Sequence, residues 1–231
     1  MTQLISVAAI QMTSGQQLSG NLEAASALLE QAANGGAQLA VLPENFAVYG
    51  GDYRATAGQF EQLKGWLCEQ AKRFNMAIIG GSVPAMRRPD GSVVAAPRVR
   101  TRALAVSAEG QCLAAYDKLH LFDAQVNDAQ GRYCESDVFE PGTEVVTVPL
   151  AGLTVGLAIC YDLRFPSLAQ RLAHAGADLI VYPSAFTAVT GAAHWSLLLR
   201  ATAVQTGCYV LGANQCGEHG PRRGSYGHSM L

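Results

Sequence analysis

The sequence carries little charge of either sign. Charged residues make up 15% of its 231 positions and the formal net charge is −2, so there is no electrostatic bias toward nucleic acid or an anionic membrane. Long hydrophobic runs are missing as well. Stretches such as Leu153 to Cys160 have the length of a buried strand and fall far short of a membrane span. The N-terminal MTQLISVAAIQM has no basic start ahead of its apolar stretch, which argues against a signal peptide and reads as a first strand. Six cysteines, at 68, 112, 134, 160, 208 and 216, form no Cys-x-x-Cys pair, and none stands at zinc-site spacing with histidine. They read as free thiols in a reducing compartment, so the expected location is the cytoplasm. Apolar residues are plentiful, at 49% of the chain, enough for a sizeable core.

Short β-branched runs alternate with alanine-rich helical patterns. Strands are predicted over 5–11, 39–42, 77–81, 145–148, 153–159, 179–182 and 209–213. A hairpin is predicted from 98–107 to 111–116 across Ala108-Glu109-Gly110. Helices are predicted over 21–33, 60–74, 166–174 and 192–206. In the first, Leu22, Ala25, Leu29 and Ala32 share one face. Asp117 to Gly142 has no clear period, and an irregular stretch of that length is usually functional. No linker or composition shift divides the chain, which predicts one domain over 1–231. Gly36-Ala37-Gln38-Leu39-Ala40-Val41-Leu42-Pro43-Glu44 is echoed by Gly176-Ala177-Asp178-Leu179-Ile180-Val181-Tyr182-Pro183-Ser184. Each is a helix end, a tight turn, a buried strand and a proline. The echo suggests two similar halves, as two sheets packed between helices, though many αβ units share such a pattern by chance.

Three local patterns carry candidate chemistry. In Leu153-Thr154-Val155-Gly156-Leu157-Ala158-Ile159-Cys160-Tyr161-Asp162-Leu163-Arg164-Phe165-Pro166, an apolar strand delivers Cys160 to a sharp turn, and a helix opens at proline. This is the device of a nucleophile elbow with sulfur in place of oxygen, and the Tyr161 N–H can face a developing oxyanion. A buried cysteine filling a small gap would look the same. Glu44 follows a buried strand at its C-terminal edge, where open α/β sheets place functional groups; alone it also reads as a solvated loop carboxylate. Lys118, in Tyr116-Asp117-Lys118-Leu119-His120-Leu121-Phe122-Asp123, lies between apolar residues, yet a lysine there can simply snorkel to solvent.

Taken together and in this order, the three patterns resemble the nitrilase superfamily of carbon–nitrogen hydrolases, and the resemblance runs from the first strand to the last residue. It implies an α/β fold of four αββα layers, usually doubled by homodimerisation. It also implies no metal or organic cofactor and a catalytic Glu-Lys-Cys triad of Glu44, Lys118 and Cys160. Glu135, in Tyr133-Cys134-Glu135-Ser136, matches a second glutamate that positions the lysine and the substrate amide. The stretches Ser184-Ala185-Phe186-Thr187-Ala188-Val189-Thr190-Gly191, His194-Trp195, Asn214-Gln215-Cys216-Gly217 and Ser225-Tyr226-Gly227-His228-Ser229-Met230 are similar to the deaminated glutathione amidase branch. That branch implies hydrolysis of deaminated glutathione to 2-oxoglutarate and cysteinylglycine, as metabolite repair. Action on 2-oxoglutaramate, or on simple aliphatic amides, is the alternative.

An anionic amide asks for a cation near Cys160. Arg164 is nearest in sequence, unless it pairs with Asp162; Phe186 and Thr190 are candidate pocket residues. His194 and Trp195 read as packing. A Cys–His protease using His120 or His228 lacks an orienting Asn or Asp context. An interaction scaffold would have lost a triad member, and an acyltransferase would usually carry membrane segments. Ser196, Thr202 and Gln205 depart from the family's usual Glu, Arg and Glu. Losing the last two charges together leaves neither unpaired. The family continues past the strand that begins near Leu231, so the resemblance predicts missing C-terminal strands, an exposed sheet edge and a weaker dimer.

Overall fold

The computed structural model describes residues 4–231; Met1 to Gln3, part of the stretch read as a first strand, lie outside the described residues. In chain order the first half contains β1 (Val7–Ala9), α1 (Leu18–Asn34), β2 (Leu39–Val41), α2 (Tyr53–Ala57), α3 (Phe60–Phe74), β3 (Ala77–Ile79), β4 (Val83–Ala85), β5 (Arg100–Val106) and β6 (Cys112–Asp117). Next come β7 (Asp123–Gln125), β8 (Arg132–Cys134), β9 (Val146–Leu150) and β10 (Leu153–Leu157), then α4 (Pro166–His174), β11 (Leu179–Ser184), α5 (Ala188–Thr206), β12 (Tyr209–Asn214), β13 (Cys216–Glu218) and β14 (Gly224–Tyr226).

Two sheets face each other. In the first, β1, β2 and β3 are parallel neighbours, and β5 pairs antiparallel with β3, β4 and β6. In the second, β10, β11 and β12 run parallel and β9 is antiparallel at the edge. The period of two decides which side chains meet. Leu39, Val41, Ala77, Ile79, Ala103 and Ala105 point toward the second sheet and share its core with Val155, Leu157 and Val181. Ala40, Leu42, Ile78, Leu104 and Val106 point the other way, onto Ala25 and Leu29 of α1 and Leu63 and Leu67 of α3. On the far side, Leu168 and Leu172 of α4 and Trp195 and Leu199 of α5 cover the second sheet. The layers are therefore helix, sheet, sheet, helix, as the resemblance implied.

α3 and α4 coincide with their predicted spans. Asn75 ends α3 in the left-handed conformation, and Pro166 opens α4. The predicted echo is borne out: Gly36 and Gly176 take φ 81° and 84°, and the strands they precede, β2 and β11, lie in different sheets. The segment 117–142 is less irregular than its sequence, holding the β7–β8 hairpin with a turn at Gly131 (φ 73°) and a 3-10 turn over Glu135–Asp137. The short elements α2, β4, β13 and β14 also have no counterpart in the sequence reading. β4 and β3 lie end to end along one edge of β5, separated by Gly80-Gly81-Ser82. Gly81 has φ 49° and packs against the Pro43 carbonyl, where a Cβ would collide. The strand breaks there so that the turn carrying Glu44 can cross it.

Candidate active site

Three loops at one end of the two sheets meet around a cavity of about 300 Å³. Glu44 leaves β2 through Pro43, and Asn45 takes the left-handed conformation (φ 56°) with its N–H on Ser82 Oγ at 3.0 Å. Gln215, just after β12 in the other sheet, fixes this turn from the opposite side. Its Nε2 donates to the Glu44 carbonyl oxygen (3.0 Å) and to Ser14 Oγ (2.8 Å), while its Oε1 accepts from the Ser14 N–H (2.9 Å).

Lys118 follows β6. Beside it, Asp117 is held by Arg100 (2.9 Å) and Arg102 (2.6 Å), and Arg100 also reaches Glu140 (2.7 Å). This buried network fixes the strand end from which Lys118 turns inward. The Lys118 side chain is 2% exposed, so its charge needs partners. Nζ donates to Glu44 Oε1 at 2.8 Å and to Glu135 Oε1 and Oε2 at 2.9 and 2.8 Å. Burial pushes the ammonium pKa down, but Glu135 and Glu44 outweigh it and hold it well above its ordinary value. Glu135 is raised, by burial first and by Glu44, against the pull of Lys118; it also accepts the Phe122 N–H.

Cys160 is 8% exposed and sits beyond β10 with φ 46°, a strained conformation for a residue with a Cβ. The strain is supported by Asp162, two residues on. Its Oδ2 accepts from the Ile159 N–H (2.9 Å) and Tyr116 OH (2.7 Å), and its Oδ1 accepts from the His120 N–H (3.0 Å) and lies 2.7 Å from His120 Nδ1. The His120 ring in turn stacks on Phe165, with centroids 3.6 Å apart. Burial, then the Glu44 charge, push the Cys160 thiol well above its ordinary pKa, with Lys118 opposing. The sulfur is therefore a thiol at neutral pH and needs a base to react.

The structure brings Glu44, Lys118, Glu135 and Cys160 onto one cavity. Tyr161, Arg164, Phe186 and Thr190 line a second, narrow crevice that Cys160 also borders, with room of only about 10 Å³. Arg164 does not pair with Asp162, whose oxygens are taken; it lies over Phe186 and Tyr161, with Nη2 3.2 Å from His194 Nδ1. Trp195 is fully buried and its Nε1 donates to the His228 carbonyl oxygen (2.7 Å), in keeping with a packing role. The sequence reading missed Tyr49, Tyr53, Tyr133, His219 and Arg223, which also line the cavity. The arginine pair Arg222-Arg223, between two of the recognised stretches, was the available signal. Among the described residues, no group of three or more His, Cys, Asp or Glu is placed to hold a metal ion, and no helix is long and apolar enough to cross a membrane.

A buried thiol, a carboxylate and an ammonium around one cavity can attack a carbonyl carbon and stabilise the resulting oxyanion. Known proteins bear on this. Residues 6–231 match the carbon–nitrogen hydrolase family model. Deaminated glutathione amidase of Yersinia enterocolitica is 38% identical over 97% of this chain and 78% of its own length. The human enzyme of that name is 39% identical, over 97% and 69%. The crystal structure of Caenorhabditis elegans NitFhit superposes with a TM-score of 0.83 at 34% identity, over 98% of this chain and 56% of that longer one. With nearly every residue matched, and the two sheets packed as in that solved relative, the chain belongs to the carbon–nitrogen hydrolase family of the nitrilase superfamily.

Proposed function

We propose that the chain is a single catalytic domain that hydrolyses a small anionic amide through a thioester on Cys160. The observation that carries this reading is the Lys118 ammonium, held between Glu44 and Glu135 in the cavity that Cys160 lines. Glu44 takes the thiol proton as sulfur attacks the amide carbonyl. The tetrahedral oxyanion is stabilised by Lys118 and by the Tyr161 N–H, which starts the turn after the nucleophile. Collapse breaks the C–N bond, Glu44 gives its proton to the leaving amine, and a thioester remains. Water activated by Glu44 then releases the acid and the free thiol. Glu135 holds Lys118 and faces the substrate amide, while Tyr161, Arg164, Phe186 and Thr190 shape the acyl side.

The substrate we favour is deaminated glutathione, giving 2-oxoglutarate and cysteinylglycine. Support comes from the names of relatives 38–39% identical over 97% of this chain. The six free cysteines support a cytoplasmic setting. Val189, Leu197 and Val204, exposed on one face of α5, support a homodimer built on that helix. Paired assays of deaminated glutathione and 2-oxoglutaramate test the substrate, and a clear preference for the second overturns it. Mass spectrometry tests the triad. Cys160→Ala should give no turnover and no acyl adduct, and Lys118→Met should lose about 10²–10³ in kcat. Normal acyl-enzyme accumulation in Lys118→Met would contradict its role.

A further inference from the structure

A groove of about 460 Å³ lies between α2, α3 and β4, and it shares no lining residue with the cavity of Cys160. Against it runs the chain of ion pairs that steadies Asp117. Arg88 meets Glu140 (2.7 Å), Glu140 meets Arg100 (2.7 Å), Arg100 meets Asp117 (2.9 Å) and Asp117 meets Arg102 (2.6 Å). Three guanidiniums thus face two carboxylates. Except for Arg88, each of these side chains is 14% exposed or less, so one positive charge is left over where water and salt screen it poorly.

The rim of the groove adds to that excess. Lys64 and Arg87 line it too. Lys64 meets Glu61 only at 4.0 Å, and that carboxylate is 83% exposed. The Arg87 guanidinium donates to the Gly91 carbonyl oxygen (2.8 Å), while Asp90, on the same turn, accepts from Ser92. Counting Glu61 and Asp90, five cations still stand against four carboxylates.

Arg102 joins the groove to the ion pairs, since it belongs to both. Its side chain is 10% exposed. Nε and Nη2 are occupied by Asp117 and the Arg87 carbonyl oxygen, and the guanidinium lies over Phe60, 5.7 Å from the ring centroid. Among the described residues Nη1 has no partner, and a buried guanidinium donor is seldom left without an acceptor. Ala57, Phe60 and Met86 give the same groove an apolar wall.

We propose that this groove binds a small phosphate monoester with an apolar body. Phosphate brings three acceptor oxygens and about 1.5–2 negative charges at neutral pH, enough to meet Lys64, Arg87 and Nη1 of Arg102 together. A carboxylate has fewer oxygens and a single charge. The volume falls within the range of small-molecule sites. None of these groups takes part in amide hydrolysis, so the site stands or falls on its own.

Titration calorimetry in phosphate-free buffer at fixed ionic strength tests it, with phenyl phosphate as the probe. Wild type should bind one phenyl phosphate per chain at millimolar concentrations or below, inorganic phosphate more weakly for want of an apolar contact, and phenol not at all. Lys64→Gln and Arg87→Gln alter the rim and leave the buried pairs intact. Each should weaken binding about 10-fold, the scale of one hydrogen bond between charged groups. Arg102→Lys, which removes Nη1, should do the same; should it lose its fold along with the Asp117 contacts, the two rim variants still decide. Lys72→Gln, on α3 but outside the groove, and Arg223→Gln, in the Cys160 cavity, should bind as wild type does. No binding of phenyl phosphate by wild type refutes the site, and so does full binding by both rim variants. A loss in Arg223→Gln instead would move the anion to the Cys160 cavity, and an equal loss in Lys72→Gln would reduce it to diffuse attraction. Benzoate bound as tightly as phenyl phosphate would overturn the choice of phosphate.

Discussion

Asp162→Asn is a sharp probe of how the fold holds Cys160. The side chain of Asp162 is fully buried, and each of its oxygens faces two groups: Ile159 N–H and Tyr116 OH on one, His120 N–H and Nδ1 on the other. Asparagine fits the same space but must turn its NH₂ toward one of these pairs. If it faces the first, the Tyr116 hydroxyl can rotate to accept, but the Ile159 N–H meets a donor. If it faces the second, the His120 ring can offer an unprotonated nitrogen, but the His120 N–H is orphaned. Either way one backbone donor loses its acceptor, at about 1–3 kcal/mol, and the remaining bonds lose charge assistance worth roughly 1 kcal/mol more. The expected cost is about 2–4 kcal/mol, against a total stability on the order of 5–15 kcal/mol for a domain. Urea denaturation reads it as a lower midpoint at unchanged slope. Because Ile159 precedes the strained Cys160, kcat should fall further than the small folding defect explains, while KM stays nearly constant. A destabilisation below about 1 kcal/mol, or an unchanged kcat, would refute the account of Asp162 as the brace of this turn.

Gly81→Ala forces a side chain into a left-handed position against the Pro43 carbonyl. We expect a loss of at least about 2 kcal/mol from strain and overlap together, with reduced turnover as the Glu44 turn shifts; a wild-type thermal midpoint would count against it. Alkaline pH should weaken the fold through Cys160, whose folded pKa lies above its ordinary 9.0. Above pH 9 the unfolded chain releases this proton first, so ΔG of unfolding falls as pH rises. Lys118, held above 10.5, adds to the fall beyond that pH. Stability measured from pH 7 to 11 should decline less steeply in Cys160→Ala than in wild type; parallel curves would contradict the raised thiol pKa.

What the sequence made legible follows from how local each signal is. α3 and α4 are bounded by their own residues, Asn75 and Pro166, so their limits could be read directly. β4 could not, because Pro84 sits within it; proline is tolerated there only because β4 meets β5 alone, with its other edge unpaired. The β7–β8 hairpin is only three residues deep on each side, too short for alternation to register. Glu44, Lys118, Glu135 and Cys160 were legible as motifs in order, whereas their meeting in space depends on the packing of two sheets. Arg223 shows the limit most clearly. The Arg222-Arg223 pair is a faint local sign of it, because the groups it meets in the cavity, Tyr49, Tyr133 and Ala185, come from distant segments.

The Gln215 amide has a consequence beyond holding a turn. Sulfur rides on one layer of the molecule and the carboxylate and ammonium on the other, and this amide, with the bonds Tyr116 and His120 make to Asp162, rivets the layers together where the three converge. Cys160, Glu44 and Lys118 are thus a gauge of registry: a slip of one layer along the other, too slight to melt either, would part the sulfur from the carboxylate. Heating should therefore silence the protein before it unravels.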